Sequence, residues 1–333
     1  MTAGIPLISK KPALLERRYS THFMHPVLAI VGPTASGKSE LALFLAECFS
    51  GEIVNYDSVQ IFRYFDIGTA KPAAEERARV PHHMIDIREP TAIFTAGDYQ
   101  REARRVLHDI CGRGKMPVLV GGTGLYLRAL TEGLFNGPER SIYWRNRLEM
   151  LAERKGREYL HRILSKVDPV AASRIDVRDK PKVIRALEVR LETGKALSKH
   201  LDERPRYPLT GSDVRFIGLS PPREELYRRI NDRVREMFTA GLVQEVRELL
   251  RKGIPSSAKP FEAIGYRHVI AHIDSCITNE ETIRIIQRDT RRYAKRQMTW
   301  FRKQPDVTWF DGPGDSDEIK NMVHQFVEPF ATF

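Results

Sequence analysis

Over the first 137 residues, short fully apolar runs alternate with stretches of helical periodicity. Residues 27–31 (Val-Leu-Ala-Ile-Val), 51–56 (Gly-Glu-Ile-Val-Asn-Tyr) and 116–120 (Met-Pro-Val-Leu-Val) have the length and composition of strands buried on both faces, as in parallel sheets. Residues 39–46 and 98–110 repeat their apolar positions at three- and four-residue steps and predict helices. Glycine and proline break the stretch 66–72 (Asp-Ile-Gly-Thr-Ala-Lys-Pro) into a loop. Beyond Pro138 the strand signal stops. A highly charged segment predicts helices over 141–155, 157–167 and 182–193, the last closed by Gly194, then a polar, proline-containing connector over 199–211. Residues 214–219 (Val-Arg-Phe-Ile-Gly-Leu) return to strand character, and helices follow to residue 303. The expected organisation is an N-terminal extension (1–25), an α/β core in two parts (26–137 and a mostly helical 213–333), and an all-helical insertion domain (138–212) between them.

The stretch between the first strand and the first helix is Gly32-Pro33-Thr34-Ala35-Ser36-Gly37-Lys38-Ser39. It fits G-x-x-x-x-G-K-[ST], a loop that wraps backbone N–H groups around a phosphate chain. Strand, glycine loop and helix in that order set the positive end of the helix against the anion. Lys38 is expected to reach the terminal phosphates and the Ser39 hydroxyl to ligate Mg²⁺. The fold class is therefore α/β, a P-loop NTPase-like parallel sheet flanked by helices with the helical insertion. A second glycine turn, Gly121-Gly122-Thr123-Gly124, follows the strand at 116–120, at the sheet edge where ligands bind in open α/β folds. Asp57 follows the strand at 51–56 and suits three roles equally from spacing alone: water-mediated hold on Mg²⁺, general base, or cap of the next helix. No second apolar strand ends in an acidic residue, which counts against an ordinary ATPase.

Composition narrows the classes. Lys and Arg number 54 against 43 for Asp and Glu, a net charge of +11, and 41% of residues are hydrophobic. This is an ordinary balance for a globular chain with no apolar run long enough to span a bilayer. Cys48, Cys111 and Cys276 form neither a metal nor a disulfide pattern and fit a reducing, cytoplasmic compartment. The basic excess concentrates at 284–303, where Arg284, Arg288, Arg291, Arg292, Lys295, Arg296, Arg302 and Lys303 face one acid, Asp289. The first of these recur on one helical face, where like charges repel unless an anion lies across them, so this face is expected to meet phosphates. The segment 1–25 is basic and without periodicity; a transit peptide fits that composition, and a short disordered or docked extension is the preferred reading.

Taken in order, several blocks resemble the tRNA dimethylallyltransferase (tRNA isopentenyltransferase) family. They are the phosphate loop, Asp57-Ser58-Val59-Gln60, the loop 66–72, His82-His83-Met84-Ile85-Asp86, Val120-Gly121-Gly122-Thr123-Gly124-Leu125-Tyr126, Arg185-Ala186-Leu187-Glu188-Val189, Ala263-Ile264-Gly265-Tyr266-Arg267 and Lys295-Arg296-Gln297-Met298-Thr299-Trp300-Phe301-Arg302. They cover roughly 26–302. The resemblance implies transfer of a dimethylallyl group from dimethylallyl diphosphate to N6 of the adenosine just 3′ of the anticodon, in tRNAs reading codons that begin with U. The phosphate loop then holds a diphosphate, with Mg²⁺ as cofactor and tRNA and dimethylallyl diphosphate as partners; nothing calls for a membrane or an obligate protein partner. It also implies catalytic roles for Asp57, as general base, Thr123 and Lys38. tRNA contacts are implied at Asp57, Ser58, Val59, Gln60, Thr123 and Arg145, at Pro181, Lys182, Val183, Ile184 and Arg185, and at Glu262, Ala263, Ile264, Gly265, Tyr266 and Arg267. The chain departs from the family pattern at Asp179-Lys180-Pro181-Lys182. No Cys₂His₂ pattern follows Arg302, which favours a bacterial-type enzyme.

Plainer readings stand beside these. Thr123 is also suited to shaping its turn, His82 and His83 to a polar loop pair, and Trp300 and Phe301 to core packing. The rival functions are a P-loop small-molecule or nucleoside monophosphate kinase and a non-catalytic RNA-binding protein.

Overall fold

A computed structural model describes residues 25–135, 137–203, 208–275 and 277–331. The extension ahead of residue 25 and Cys276 lie outside the described residues. The first half is β1 (His25–Val31), α1 (Lys38–Cys48), β2 (Glu52–Asn55), α2 (Ala74–Arg79), β3 (His82–His83), α3 (Ala96–Gly112), β4 (Pro117–Val120) and α4 (Gly124–Thr131). The insertion holds α5 (Ile142–Lys155), α6 (Arg157–Val167), α7 (Pro169–Arg174), α8 (Lys180–Thr193) and α9 (Leu197–Asp202). The chain then returns through β5 (Ser212–Leu219), α10 (Arg223–Thr239), α11 (Leu242–Arg251), a 3₁₀ turn (Lys259–Glu262), α12 (Tyr266–Asp274), α13 (Asn279–Phe301), β6 (Val307–Phe310) and α14 (Asp317–Ala331).

All six strands form one parallel sheet in the order β3-β2-β4-β1-β5-β6. β1 lies inside it, and its alternating side chains feed two cores. Leu28 and Ile30 pack with Leu41 and Leu45 of α1 and Val323 of α14 on one face. Val27, Ala29 and Val31 pack with Tyr56, Tyr99 and Phe301 on the other. A third core joins Ile61, Phe62 and Phe65 to Leu242, Phe261, Tyr266 and Ile286 of the C-terminal helices. The insertion builds its own around Leu148, Leu160, Leu164, Val183, Ile184 and Leu187.

The predicted strands and helices are present, and α2, α4 and α7 are helices beyond those predicted. β3 and β6 are strands where the sequence predicted none; at two and four residues they are too short to carry a periodicity. The His82–His83 pair is thus strand rather than loop, and His83 pairs with the buried Glu52 at 2.6 Å. The connector expected at 199–211 begins as the end of α9, a six-residue helix whose N-cap, Ala196, makes no side-chain cap hydrogen bond that could signal it. β1 starts at His25, one residue inside the expected extension.

Candidate active site

Register puts the chemistry on one edge of the sheet. Ile30 and Asn55 both lie opposite Val120, so the loops leaving β1, β2 and β4 emerge side by side. They enclose a cleft of about 900 Å³, closed on the other side by α10 and α13.

The phosphate loop forms one wall. Ala35 (φ 63°) and Gly37 (φ 79°) take left-handed backbone, and a Cβ on Gly37 would lie 2.9 Å from Asp315 Oδ1, so only glycine fits there. The segment after β6 presses on this loop: Gly314 N–H donates to the Ser36 carbonyl at 2.9 Å. Arg229 donates Nε–H to the Ala35 carbonyl at 2.9 Å and pairs with Asp315 at 2.7 Å. Ser36 Oγ is buried without a hydrogen-bond partner. Lys38 is 8% exposed and folds back to donate to the Pro33 carbonyl at 2.5 Å. Burial, and then the charge of Arg233, lower its pKa from 10.5 to about 7. Burial also lowers the pKa of Arg233, whose guanidinium reaches Thr34 Oγ1 at 3.5 Å. Neither cation forms an ion pair with a described residue. Two desolvated basic groups without an ion-pair partner beside a glycine loop have the chemistry that suits an anion, with Glu40 and Asp57 opposing their positive charge only from a distance.

Asp57 stands across the cleft. Asn55 Oδ1 accepts its N–H at 3.0 Å, and the same side chain donates to the Met84 carbonyl, which fixes the exit from β2. Asp57 Oδ1 accepts from Val59 N–H at 2.8 Å and Gln60 N–H at 3.3 Å, so it caps its own turn and not the next helix, α2, which begins only at Ala74. The other oxygen, Oδ2, is turned to Gly122, where an added Cβ would sit 3.0 Å away. One carboxylate therefore caps a turn with one oxygen and offers the second to the cleft. Thr123 accepts Ser58 N–H at 2.9 Å and donates to Ser58 Oγ at 3.0 Å, so its hydroxyl shapes the Asp57 turn rather than standing free. Gln60 donates to the carbonyls of Thr69 and Ala70 and holds the loop 66–72 against the cleft. From behind, Glu245 accepts the N–H groups of Asp66 and Ile67, with Tyr266 hydrogen-bonded to it at 2.5 Å.

The residues matched to RNA contact separate into two groups. Glu262, Ala263, Ile264 and Gly265 line the cleft, beside Ser58, Val59 and Gln60. Val183, Ile184 and Tyr266, by contrast, are at most 1% exposed core side chains, which closes direct side-chain contact to them. Arg145 and Arg185 turn inward to the fully buried Glu188, at 3.1 and 2.9 Å. Pro181 and Lys182 are exposed at the start of α8, where Asp179 caps the helix and pairs with Lys182. Arg267 is exposed and lies 3.5 Å from Asp289. On α13, Asp289 also takes Arg288 and Arg292, and Arg291 leaves the basic face to bond Asn231 at 2.6 Å. Arg284, Arg288, Arg292, Lys295 and Arg296 remain exposed. Phe301 is core at 1% exposure, as expected, but Trp300 is 42% exposed, its indole edge lying against Gly124.

Sequence reasoning missed Arg229, Arg233, Tyr293, Gln297 and Asp315. Arg229 and Arg233 carried a readable signal, being four apart on one face of a helix. Asp315 carried none, since only the fold brings it to the phosphate loop. The described residues contain no cluster of three or more His, Cys, Asp or Glu suited to a metal. The Ser39 hydroxyl is exposed in the cleft beside the loop, the kind of sparse donor that suits Mg²⁺ held chiefly by substrate phosphates and water.

Comparison with known proteins follows the same lines. A family model described as IPP transferase matches residues 60–304. The chain is 49% identical over 302 residues to a tRNA dimethylallyltransferase of Koribacter versatilis, covering 91% of this chain and 98% of that one. It is 48% identical over 300 residues to another from Geobacter sulfurreducens, covering 90% and 96%. Among solved structures it resembles the full-length tRNA isopentenylpyrophosphate transferase of Bacillus halodurans (TM-score 0.67, 40% identity, 92% and 97% covered). It also resembles a eukaryotic dimethylallyltransferase described as acting on tRNA (TM-score 0.76, 27% identity, 91% and 78% covered). With its parallel sheet, glycine loop and cleft, the chain belongs to the tRNA dimethylallyltransferase family.

Proposed function

We propose that the family's reaction runs in this cleft, with the diphosphate of dimethylallyl diphosphate on the phosphate loop and the target adenine against Asp57. In that reaction a dimethylallyl group passes to N6 of the adenosine 3′-adjacent to the anticodon, in tRNAs reading codons that begin with U. The observation that carries this reading is the opposition, across one cleft, of two uncompensated buried cations and a carboxylate oxygen free of hydrogen bonds to its own turn.

The N6–C1 bond forms as the C1–O bond to the diphosphate breaks, and the N6 proton passes to Asp57 Oδ2. An exocyclic adenine amine is a weak nucleophile because its lone pair is delocalised; a positioned carboxylate accepting its hydrogen bond and then its proton contributes about 10²–10⁴ in rate. The leaving diphosphate gathers negative charge, which Lys38, Arg233 and the N–H groups of the loop stabilise. Ser39 would hold Mg²⁺, which supplies charge neutralisation on the diphosphate. The adenine must leave its stack to enter the cleft, at a cost of a few kcal/mol. The exposed basic side of α13 suits the phosphates of the anticodon arm. Among the described residues no helix is long and apolar enough to cross a membrane, and a cytoplasmic location suits a tRNA substrate.

The test is direct. Protein, Mg²⁺, dimethylallyl diphosphate and an unmodified anticodon stem-loop are incubated, and the nucleosides are analysed by mass spectrometry. Adenosine carrying one isopentenyl unit is expected. Unmodified adenosine together with hydrolysed ATP in a parallel incubation would give the site to the kinase reading instead.

A further inference from the structure

Gln297 is the only described side chain whose hydrogen bonds reach both reactive walls of the cleft. It sits late on α13, is 5% exposed, and accepts Thr34 N–H with Oε1 at 2.8 Å. Its Nε2 donates to the Gly122 carbonyl at 3.0 Å. The amide has one orientation open to it: turned over, it would set donor against donor at Thr34 and acceptor against acceptor at Gly122. Thr34 belongs to the phosphate loop. Gly122 is the residue that Asp57 Oδ2 faces, and a Cβ there would lie 2.9 Å from Gln297 Nε2 and 3.0 Å from that oxygen. Tyr293, one turn earlier on α13, donates to the same carbonyl at 3.2 Å. The phosphate loop and the glycine turn that Asp57 Oδ2 faces are therefore joined through a single amide of fixed length.

We infer that Gln297 is a positioning residue that sets the distance between the diphosphate site and Asp57, so that the C1–O bond being broken and the base removing the N6 proton stay in register. The inference rests on the function proposed above and deepens it. Gln297 acts through Thr34 and Gly122, the two residues its amide bonds. A transfer reaction is sensitive to such placement, because a displacement of about 1 Å at the reacting atoms costs on the order of a hundredfold. Its place on α13 also means that whatever docks on the exposed side of that helix bears on the same spacing.

Gln297→Met keeps the length and packing and removes both hydrogen bonds. In single-turnover prenyl transfer to an anticodon stem-loop, the rate constant should fall about a hundredfold while affinity for the stem-loop stays within about threefold of the unsubstituted protein. Gln297→Glu retains the acceptor for Thr34 and loses the donor to Gly122, so its rate should fall between the two. The discriminating measurement is a cycle with Asp57→Ala. If Gln297 acts by placing the base, adding Gln297→Met to Asp57→Ala should cost little more, whereas a residue that only supports the fold would add its full loss. A Gln297→Met rate within about threefold of the unsubstituted protein, or a full hundredfold added on top of Asp57→Ala, would overturn the inference. Titration calorimetry with inorganic diphosphate, without RNA, separates this from the functional reading. If the unsubstituted protein makes no prenylated product, that reading fails, while a Thr34 left unpinned in Gln297→Met should still weaken diphosphate binding by about tenfold. Unchanged diphosphate affinity would count against the inference whatever the product.

Discussion

Two places among the described residues hold basic side chains out of water in opposite ways. In the insertion, Arg145 and Arg185 converge on Glu188, which is fully buried and also accepts Ser141 N–H at 2.7 Å. Burial alone would raise the Glu188 carboxyl; the hydrogen bonds from the two arginines outweigh it and hold its pKa below the ordinary glutamate value. Beside the phosphate loop, Lys38 and Arg233 are desolvated with no carboxylate in an ion pair to them, and burial lowers the pKa of both, that of Lys38 to about 7. A satisfied buried charge belongs to the architecture. An unsatisfied one is held against its own solvation cost, and that cost is recovered when an anion arrives.

That contrast can be broken experimentally. The largest effect is expected at the cleft's far wall: Asp57→Asn keeps the oxygen that caps Val59 and Gln60 but replaces the free one by a donor. Prenyl transfer should fall about 10²–10⁴-fold with stem-loop binding retained, and a rate within an order of magnitude of the unsubstituted protein would remove Asp57 as the base. Next comes Glu188→Ala, which strands two partly buried guanidinium groups. It should cost about 3 kcal/mol in denaturant unfolding while turnover per folded molecule is kept. Lost turnover with unchanged stability would move Arg145 and Arg185 from the architecture to the substrate. The smallest effect concerns pH. In the empty cleft Lys38 titrates at about 7, below its ordinary 10.5, and a bound diphosphate favours its charged form. Binding therefore takes up a proton between those values, and affinity should fall as pH rises above 7, by up to about tenfold per pH unit. Calorimetry at pH 8 in buffers of different ionisation enthalpy should detect that proton, and Lys38→Met should abolish it.

The glycine loop, the strands before and after it, the position of Asp57 after β2 and the helical insertion were all legible, because each is a local pattern of period, breaker and cap. Arg145, Val183, Ile184, Arg185 and Tyr266 show what motif matching leaves unread. They occupy the right motifs, but their side chains are committed to a buried ion pair or a core, and burial depends on which helices pack together. Thr123 was recognisable as part of a glycine turn, yet its partner Ser58 lies 65 residues away. The basic stripe on α13 was legible as a stripe. That Arg291 leaves it for Asn231, and that Asp289 ties Arg288 and Arg292 down, was not.

The sequence by itself determined the main elements, the glycine loop and the family, since hydrophobic period, glycine spacing and the order of motifs are written along the chain. Only the tertiary structure decided which charges stay uncompensated, which oxygen of Asp57 is free, and that Gln297 reaches Thr34 across 263 residues and Gly122 across 175. The physical reason is distance. Desolvation, ion pairing and hydrogen bonding depend on what lies within a few ångströms, and parallel strand order, not sequence order, puts the ends of β1, β2 and β4 under α13.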